Sequence, residues 1–343
     1  MSITSEEASE VLSTPNVSST TSSKTIFYIS SVLIFPVSYV FFYILRVATD
    51  GPVRSWLKWD QLLLIASIIV MERIYTYRYT VSQKAVLARD IIATFITLYL
   101  VYPATAMIVL PLLTFVPEHF LGHKLVFTSP DQLGPFWFQI LVIALSVSFF
   151  RYWMHRLQHT NSFLWELHSY HHRTTDLHVL NAGVSNPVDF ALRNVIVFLI
   201  LGIIGFDPYA ILLAVTATNI GGFFTHCTAD IKGGVLNYLF VTPEVHRWHH
   251  TADVPQGYGY SCNYGVEFIF WDILFGTYYM PKKDGEFVMP ERIGHPGGLP
   301  DERNYLKLLL QPFGLYRPLI ELPLLWFRRT PTPGTRIAGP SNI

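Results

Sequence analysis

Histidines recur at helical spacing in three short stretches of this chain. His155 and His159 form HxxxH. His168, His171 and His172 form HxxHH, and His246, His249 and His250 repeat it. Residues three and four apart share a helix face, so each motif aims two or three imidazoles at one point. Neutral imidazole is a borderline ligand that suits iron, zinc, copper and nickel. These imidazoles are too many for one four-coordinate ion and suit two adjacent metals with four or five nitrogens each. Loose metal-scavenging tracts are also histidine-rich, but they are low-complexity runs. Here the spacing is helical and the first motif follows an apolar run. His226, in NIGGFFTHCTAD, follows another apolar run and is a further candidate from a different helix. His178 fits a supporting or surface role. His119, His123 and His295 stand apart and are not expected to bind metal. Arg156, Leu157 and Gln158, between the first two ligands, are expected to turn away from the metals. Trp165 and Leu167 are expected to pack the connection between the first two motifs.

The motifs that are missing narrow the chemistry. HExxH is absent, which disfavours a zinc protease. Soluble carboxylate-rich di-iron bundles use a Glu-x-x-His pair, and the chain has none. Neither GxGxxG nor a P-loop occurs, so electrons for any redox reaction must come from outside the chain.

The elements that must position these residues are apolar. Of 343 residues, 51% are hydrophobic, 15% aromatic and 14% charged. An average soluble domain carries roughly 25% charged residues, so the composition is that of a membrane protein. The formal net charge is +0, from 24 basic and 24 acidic side chains. A nucleic-acid binder carries a basic excess or patch, so no nucleic-acid partner is expected. Cys227 and Cys262 form neither a CxxC nor a disulfide framework.

Residues 1–24 are rich in Ser and Thr and read as a disordered tail without the basic start of a signal peptide. Apolar runs follow at 26–45, 62–71, 91–116 and 135–154, the last leading straight into His155. Crossing a bilayer takes about 20 apolar residues, so 62–71 is ambiguous and leaves the side of the N-terminus open. Runs 195–206 and 209–224 are short and read as a shallow hairpin or buried pair as readily as two spans. Run 308–327 is broken by prolines and reads as interfacial. Arg151, Arg156 and Arg173 lie with the histidines, which places that face in the cytosol by the positive-inside rule. The expected fold is all-α: a multi-span membrane helical bundle with a cytosol-facing helical cap holding a di-metal histidine site. The expected domains are the tail at 1–24, N-terminal transmembrane helices at 25–134, a catalytic domain at 135–285 and a partly interfacial C-terminal segment at 286–343.

HRLQH, HSYHH and HRWHH, in that order after hydrophobic spans, resemble the fatty acid hydroxylase/sterol desaturase superfamily of integral membrane histidine-rich di-iron oxygenases. The resemblance covers residues 135–285 and extends to VTPEVHRWHHTAD, Asn263-Tyr264-Gly265 and WDILFGTYYMP. The ending looks closer to the sterol-desaturase-like and ether-lipid monooxygenase branch than to sphingolipid hydroxylases. The resemblance implies a di-iron centre, O2 as oxidant and a cytosol-facing site over a four-helix membrane base. It implies ligands at His155, His159, His168, His171, His172, His226, His246, His249 and His250. Many members have His-Pro where this chain has Asn186-Pro187, and Asn186, a poor iron ligand, is not counted. Electrons are implied to come from NAD(P)H through an external reductase, often with cytochrome b5. Zinc would bind the same imidazoles in a recovered sample.

The expected activity is hydroxylation or desaturation of a C–H bond of a lipid, sterol or other apolar substrate. In a eukaryotic cell its place would be the endoplasmic reticulum. The alternative is a membrane metal-binding or metal-transport protein without oxygenase activity. Transporters place ligands mid-span, whereas these motifs fall just past the ends of apolar runs, which favours the enzyme. An apolar lipid arriving from the bilayer is expected to need no charged recognition pocket. Metal-bound histidines usually donate their other N–H to a carboxylate or carbonyl. The candidate carboxylates are Glu166, Asp176, Asp189, Glu244, Asp253 and Asp272, with Asp272 read chiefly as fixing the fold.

Overall fold

The computed structural model describes residues 59–75, 84–120, 130–204, 206 and 221–321, with isolated positions at 33–44 and 210–214. The tail at 1–24, most of the run 26–45, His123 and residues 322–343 lie outside the described residues. Helix dominates what is described. The exception is an exposed hairpin of β1 (Lys282–Lys283) and β2 (Glu286–Phe287). Asp284 and Gly285 turn it at positive φ of 53° and 85°, the conformation a tight two-residue hairpin loop requires.

Helix α1 spans Trp59–Ile74. Its 16 residues fall short of the roughly 20 that cross a bilayer. Its Leu64, Ile65 and Ile68 instead pack on Leu98, Val179, Phe224 and Cys227. One face of the run 62–71 is therefore packed, while Leu63 and Val70 stay exposed. Helix α2 (Lys84–Ile96) passes through a single π turn, Thr97–Val101, into α3 (Tyr102–Phe120). Helix α4 (Phe136–Thr160) is continuous from the apolar run through the first histidine motif.

Asn161 then breaks the chain. Its backbone is extended, and its side chain accepts the Leu164 N–H at 3.1 Å to cap α5 (Ser162–His172). Helix α6 covers Pro187–Ile204. Asn186 starts it by accepting the Val188 N–H at 2.9 Å, and proline is pre-set for the first helical position. Short helices α7 (Pro243–His249), α8 (Phe270–Leu274) and α9 (Tyr305–Leu310) complete the cap.

Three described helices are long and apolar enough to cross a membrane: Val86–Val109, Phe136–Thr160 and Pro187–Ile204. The third corrects the sequence expectation of a short run at 195–206. Polar Asp189, Arg193 and Asn194 interrupt the hydropathy of its first turns, yet the helix runs through them. Ile143 and Val147 of α4 pack against Val197 and Leu201 of α6, with Phe206, Ala210, Ile211 and Ala214. The start of α2, the end of α4 and the start of α6 all lie at one end of this bundle. The cap docks there, with Leu308 of α9 buried against Ala93, Tyr170 and Val184.

Candidate metal centre

Helix geometry sorts the histidines into two sets. Each residue turns a helix by about 100°, so i and i+4 point almost together while i+3 flanks the opposite side. His155 and His159 of α4 meet His168 and His172 of α5, and His249 of α7 joins them. His171, the flanking member of its motif, joins His246 and His250 of α7, and His226 arrives from the segment after the helix at 221–225. The two HxxHH motifs thus exchange members, each giving two rings to one set and one to the other. Within each set the candidate ligand atoms all lie within 4.8 Å of one another. The sets adjoin: the His171 and His172 rings both approach His250, at 4.7 and 4.3 Å between centroids.

The donor atoms fit metal ions. Buried polar atoms are normally hydrogen-bonded. Yet both ring nitrogens of His159, His246 and His250 are buried without a hydrogen-bond partner, as are Nε2 of His172 and His249. Nε2 of His155 faces Nε2 of His168 at 3.2 Å. Rings gathered nitrogen to nitrogen make sense as ligands of a shared cation. Burial also holds the imidazoles of His171, His172, His226, His246 and His250 well below the usual histidine range, and that of His249 down to about 3. Neighbouring histidines push several of these rings in the same direction. The rings are therefore neutral at pH 7, as metal ligation requires.

Five rings are fixed through Nδ1, which leaves Nε2 for a metal. His155 meets the Tyr264 carbonyl at 2.8 Å, His171 the Val184 carbonyl at 3.0 Å and His249 the Cys262 carbonyl at 2.9 Å. His168 meets Asp189 Oδ2 at 3.2 Å and His226 meets Asn181 Oδ1 at 2.9 Å. Trp165 lies between His159 and His172, and Leu167 is fully buried, so both pack the connection between motifs.

Of the six candidate carboxylates, Asp189 is the one in contact with a candidate ligand. The other five act elsewhere. Glu166 is exposed. Asp176 lends its backbone carbonyl to Asn181. Glu244 accepts from Gly233 N–H and Asn237 Nδ2. Asp253 pairs with Arg292 at the surface. Asp272 accepts the N–H groups of Tyr264 and Gly265, each at 2.7 Å, and the Thr277 hydroxyl at 2.6 Å. It thereby holds the 262–265 loop whose carbonyls orient His155 and His249. Gln158 is a second correction: it is buried and donates to Asp189 rather than turning away.

Asn181 carried no signal in the sequence. Its Nδ2 donates to the Asp176 carbonyl at 2.5 Å, and its Oδ1 also accepts the His178 N–H at 3.1 Å. His178 itself faces Asp90 at 3.0 Å. Asn186 ties α6 to α9 through the Leu308 and Leu309 carbonyls. His119 falls on α3, and His295 lies against Trp165 without joining either set.

A cavity of about 160 Å³ reaches His155, His171, His226 and His246. Thr97, Leu98, Tyr102 and Phe190 line it, as do Arg151, Arg193 and Asn194.

Residues 140–277 match the family model described as fatty acid hydroxylase. This part of the chain is thus similar to the fatty acid hydroxylase family. The matched segment holds all nine clustered histidines and the carbonyls that orient three of them. The chain is 33% identical to the ornithine lipid hydroxylase OlsE of Rhizobium tropici, over 54% of this chain and 53% of that protein. It is 26% identical to a Delta(7)-sterol 5(6)-desaturase of Gibberella zeae, over 48% and 49%. It is 29% identical to an alkylglycerol monooxygenase of Xenopus tropicalis, over 48% and 34%. The chain spans about half the length of the first of these relatives and less of the last. No solved structure matches it.

Proposed function

We propose that this chain is a membrane di-iron oxidoreductase that uses O2 to hydroxylate or desaturate a lipid-like substrate. The observation that carries the reading is the pair of adjoining buried histidine sets at the end of a membrane bundle, open to one cavity. Its relatives' names, which cover lipid and sterol hydroxylation, desaturation and monooxygenation, support the same reaction class. Bound by these residues, two iron ions would supply the redox chemistry that activates O2 toward a C–H bond.

The set of His155, His159, His168, His172 and His249 would hold one ion, and His171, His226, His246 and His250 the other. Asp189, Asn181 and the carbonyls of Tyr264, Val184 and Cys262 keep the rings turned toward the ions. The cap of α5, α7 and the 262–265 loop excludes water from the ring face. Apolar Leu98, Phe190 and Phe223 line the route by which a bilayer substrate would reach His155 and His171. We place the catalytic unit at 135–285 and its face in the cytosol, where Arg156 and Arg173 lie. Electrons then come from an external reductase, with cytochrome b5 as one candidate carrier.

The test uses the full chain in nanodiscs, loaded with ferrous ion and given a chemical reductant and a lipid extract. O2 uptake that depends on lipid, with a new oxidised lipid by mass spectrometry, supports the reading. His171→Ala should abolish both. Metal flux across vesicles without O2 uptake would sink it in favour of a transporter.

A further inference from the structure

Two arginines line the cavity beside the histidines. Arg151 lies one helical turn before His155 on α4, and Arg193 one turn after Asp189 on α6. Four residues rise about 6 Å along a helix, so a guanidinium layer sits just membrane-side of the imidazole layer. Cationic side chains within spans are expensive and usually functional.

Arg151 is matched. Its Nη1 lies 2.5 Å from Glu267 Oε1 and its Nη2 donates to Asn194 Oδ1 at 3.1 Å. Arg193 is not matched in this way. Its Nη2 stands 3.7 Å from Asp189 Oδ2, beyond hydrogen-bond reach. That oxygen already meets Ser185 Oγ at 3.0 Å and His168 Nδ1 at 3.2 Å, and Gln158 donates to the other oxygen. Arg193 Nε is buried with no hydrogen-bond partner. Its side chain keeps 22% of its surface open and lines the cavity.

The charge around the cavity points the same way. Neutral imidazoles bring no negative charge to a pair of divalent ions. Asp189 is engaged by His168, and Glu267 by Arg151. An anion entering the cavity would meet a guanidinium whose ion pair with Asp189 is a loose contact of 3.7 Å, and whose planar fork suits carboxylate and phosphate.

We propose that Arg193 binds the anionic group, a carboxylate or phosphate, of an amphiphilic substrate, and so sets which carbon faces the histidines. Because Arg193 and His171 line one small cavity, oxidation falls near the anionic group rather than far along the tail. This deepens the oxygenase reading and rests on it for the word substrate.

Binding tests it without turnover. Full-length chain in phosphatidylcholine nanodiscs, loaded with zinc, is titrated with fluorescent analogues of hexadecanoate, hexadecyl phosphate and hexadecanol. One anion or both should bind the wild type at least about tenfold tighter than the alcohol. The stronger arm distinguishes carboxylate from phosphate. Arg193→Gln should erase that gap while keeping hexadecanol binding and zinc content, and Arg193→Lys should keep part of it. Equal binding of all three probes to the wild type overturns the proposal. So does a gap that survives in Arg193→Gln, including when zinc is lost, which would make Arg193 a support for Asp189 alone. Failure of the oxygenase reading would show separately, as absent O2 uptake in the iron-loaded chain.

Discussion

Five of the nine histidines in the centre have a partner that holds their Nδ1. Asn181 and Asp189 hold one ring in each set, so their loss should act on different ions. Asn181→Leu leaves His226 Nδ1 without its acceptor and should weaken the ion held with His171, His246 and His250. Asp189→Asn removes the charge facing His168 and should weaken the other. Loss of such an orienting partner typically lowers metal affinity about 10–100-fold. Equilibrium dialysis against zinc should show one weakened site in each variant, and Asp253→Asn, out at the surface, should show none. The clustering of these histidines was legible because helical spacing is a property of adjacent sequence. Their partners were not. Asn181 lies 45 residues from His226, and backbone carbonyls such as Cys262 and Val184 leave no side-chain mark. Six carboxylates near the motifs were plausible by proximity, and tertiary packing brought Asp189 alone to a ring.

Elements reach the site by close backbone approach. Gly183 ends the turn after α5 and lies against α2, where a Cβ would come within 2.7 Å of Thr94 Cα and 2.5 Å of its Oγ1. The same contact carries the Thr94 hydroxyl to the Leu180 carbonyl at 2.5 Å and Thr97 to the Gly183 carbonyl at 3.0 Å. Gly183→Ala should force α2 away and destabilise the chain by about 1–3 kcal/mol, the usual range for overpacking. Gly222, where an added Cβ would meet nothing within 4 Å, should tolerate alanine. Thermal unfolding of both variants decides it. Hydropathy revealed the long helices because a span must be apolar along its length. It hid the true start of α6, where Asp189, Arg193 and Asn194 lie, and it could not show that one face of α1 packs on a core.

At the scale of the whole molecule, burial of so many imidazoles couples folding to protons. In the unfolded chain these histidines take up protons near the ordinary histidine value of 6.5, whereas folded His249 does so only near about 3. His171, His172, His226, His246 and His250 are shifted in the same direction. Between those limits the unfolded state binds more protons, so stability falls as pH drops below about 6.5. Metal-free chain should therefore melt at progressively lower temperature from neutral pH downward, with more than one proton taken up on unfolding. Bound metal, which needs neutral rings, should be released over the same acidic range. A melting temperature that is flat from neutral pH down to about pH 4 would contradict the buried, neutral state of the centre.

The central claim is that two histidine sets hold two ions, and counting metal tests it most directly. Full-length chain, purified and equilibrated with excess ferrous ion under anaerobic conditions, should retain two ions per chain by elemental analysis. X-ray absorption should give a first shell of nitrogen. One ion per chain, or none, would contradict the account.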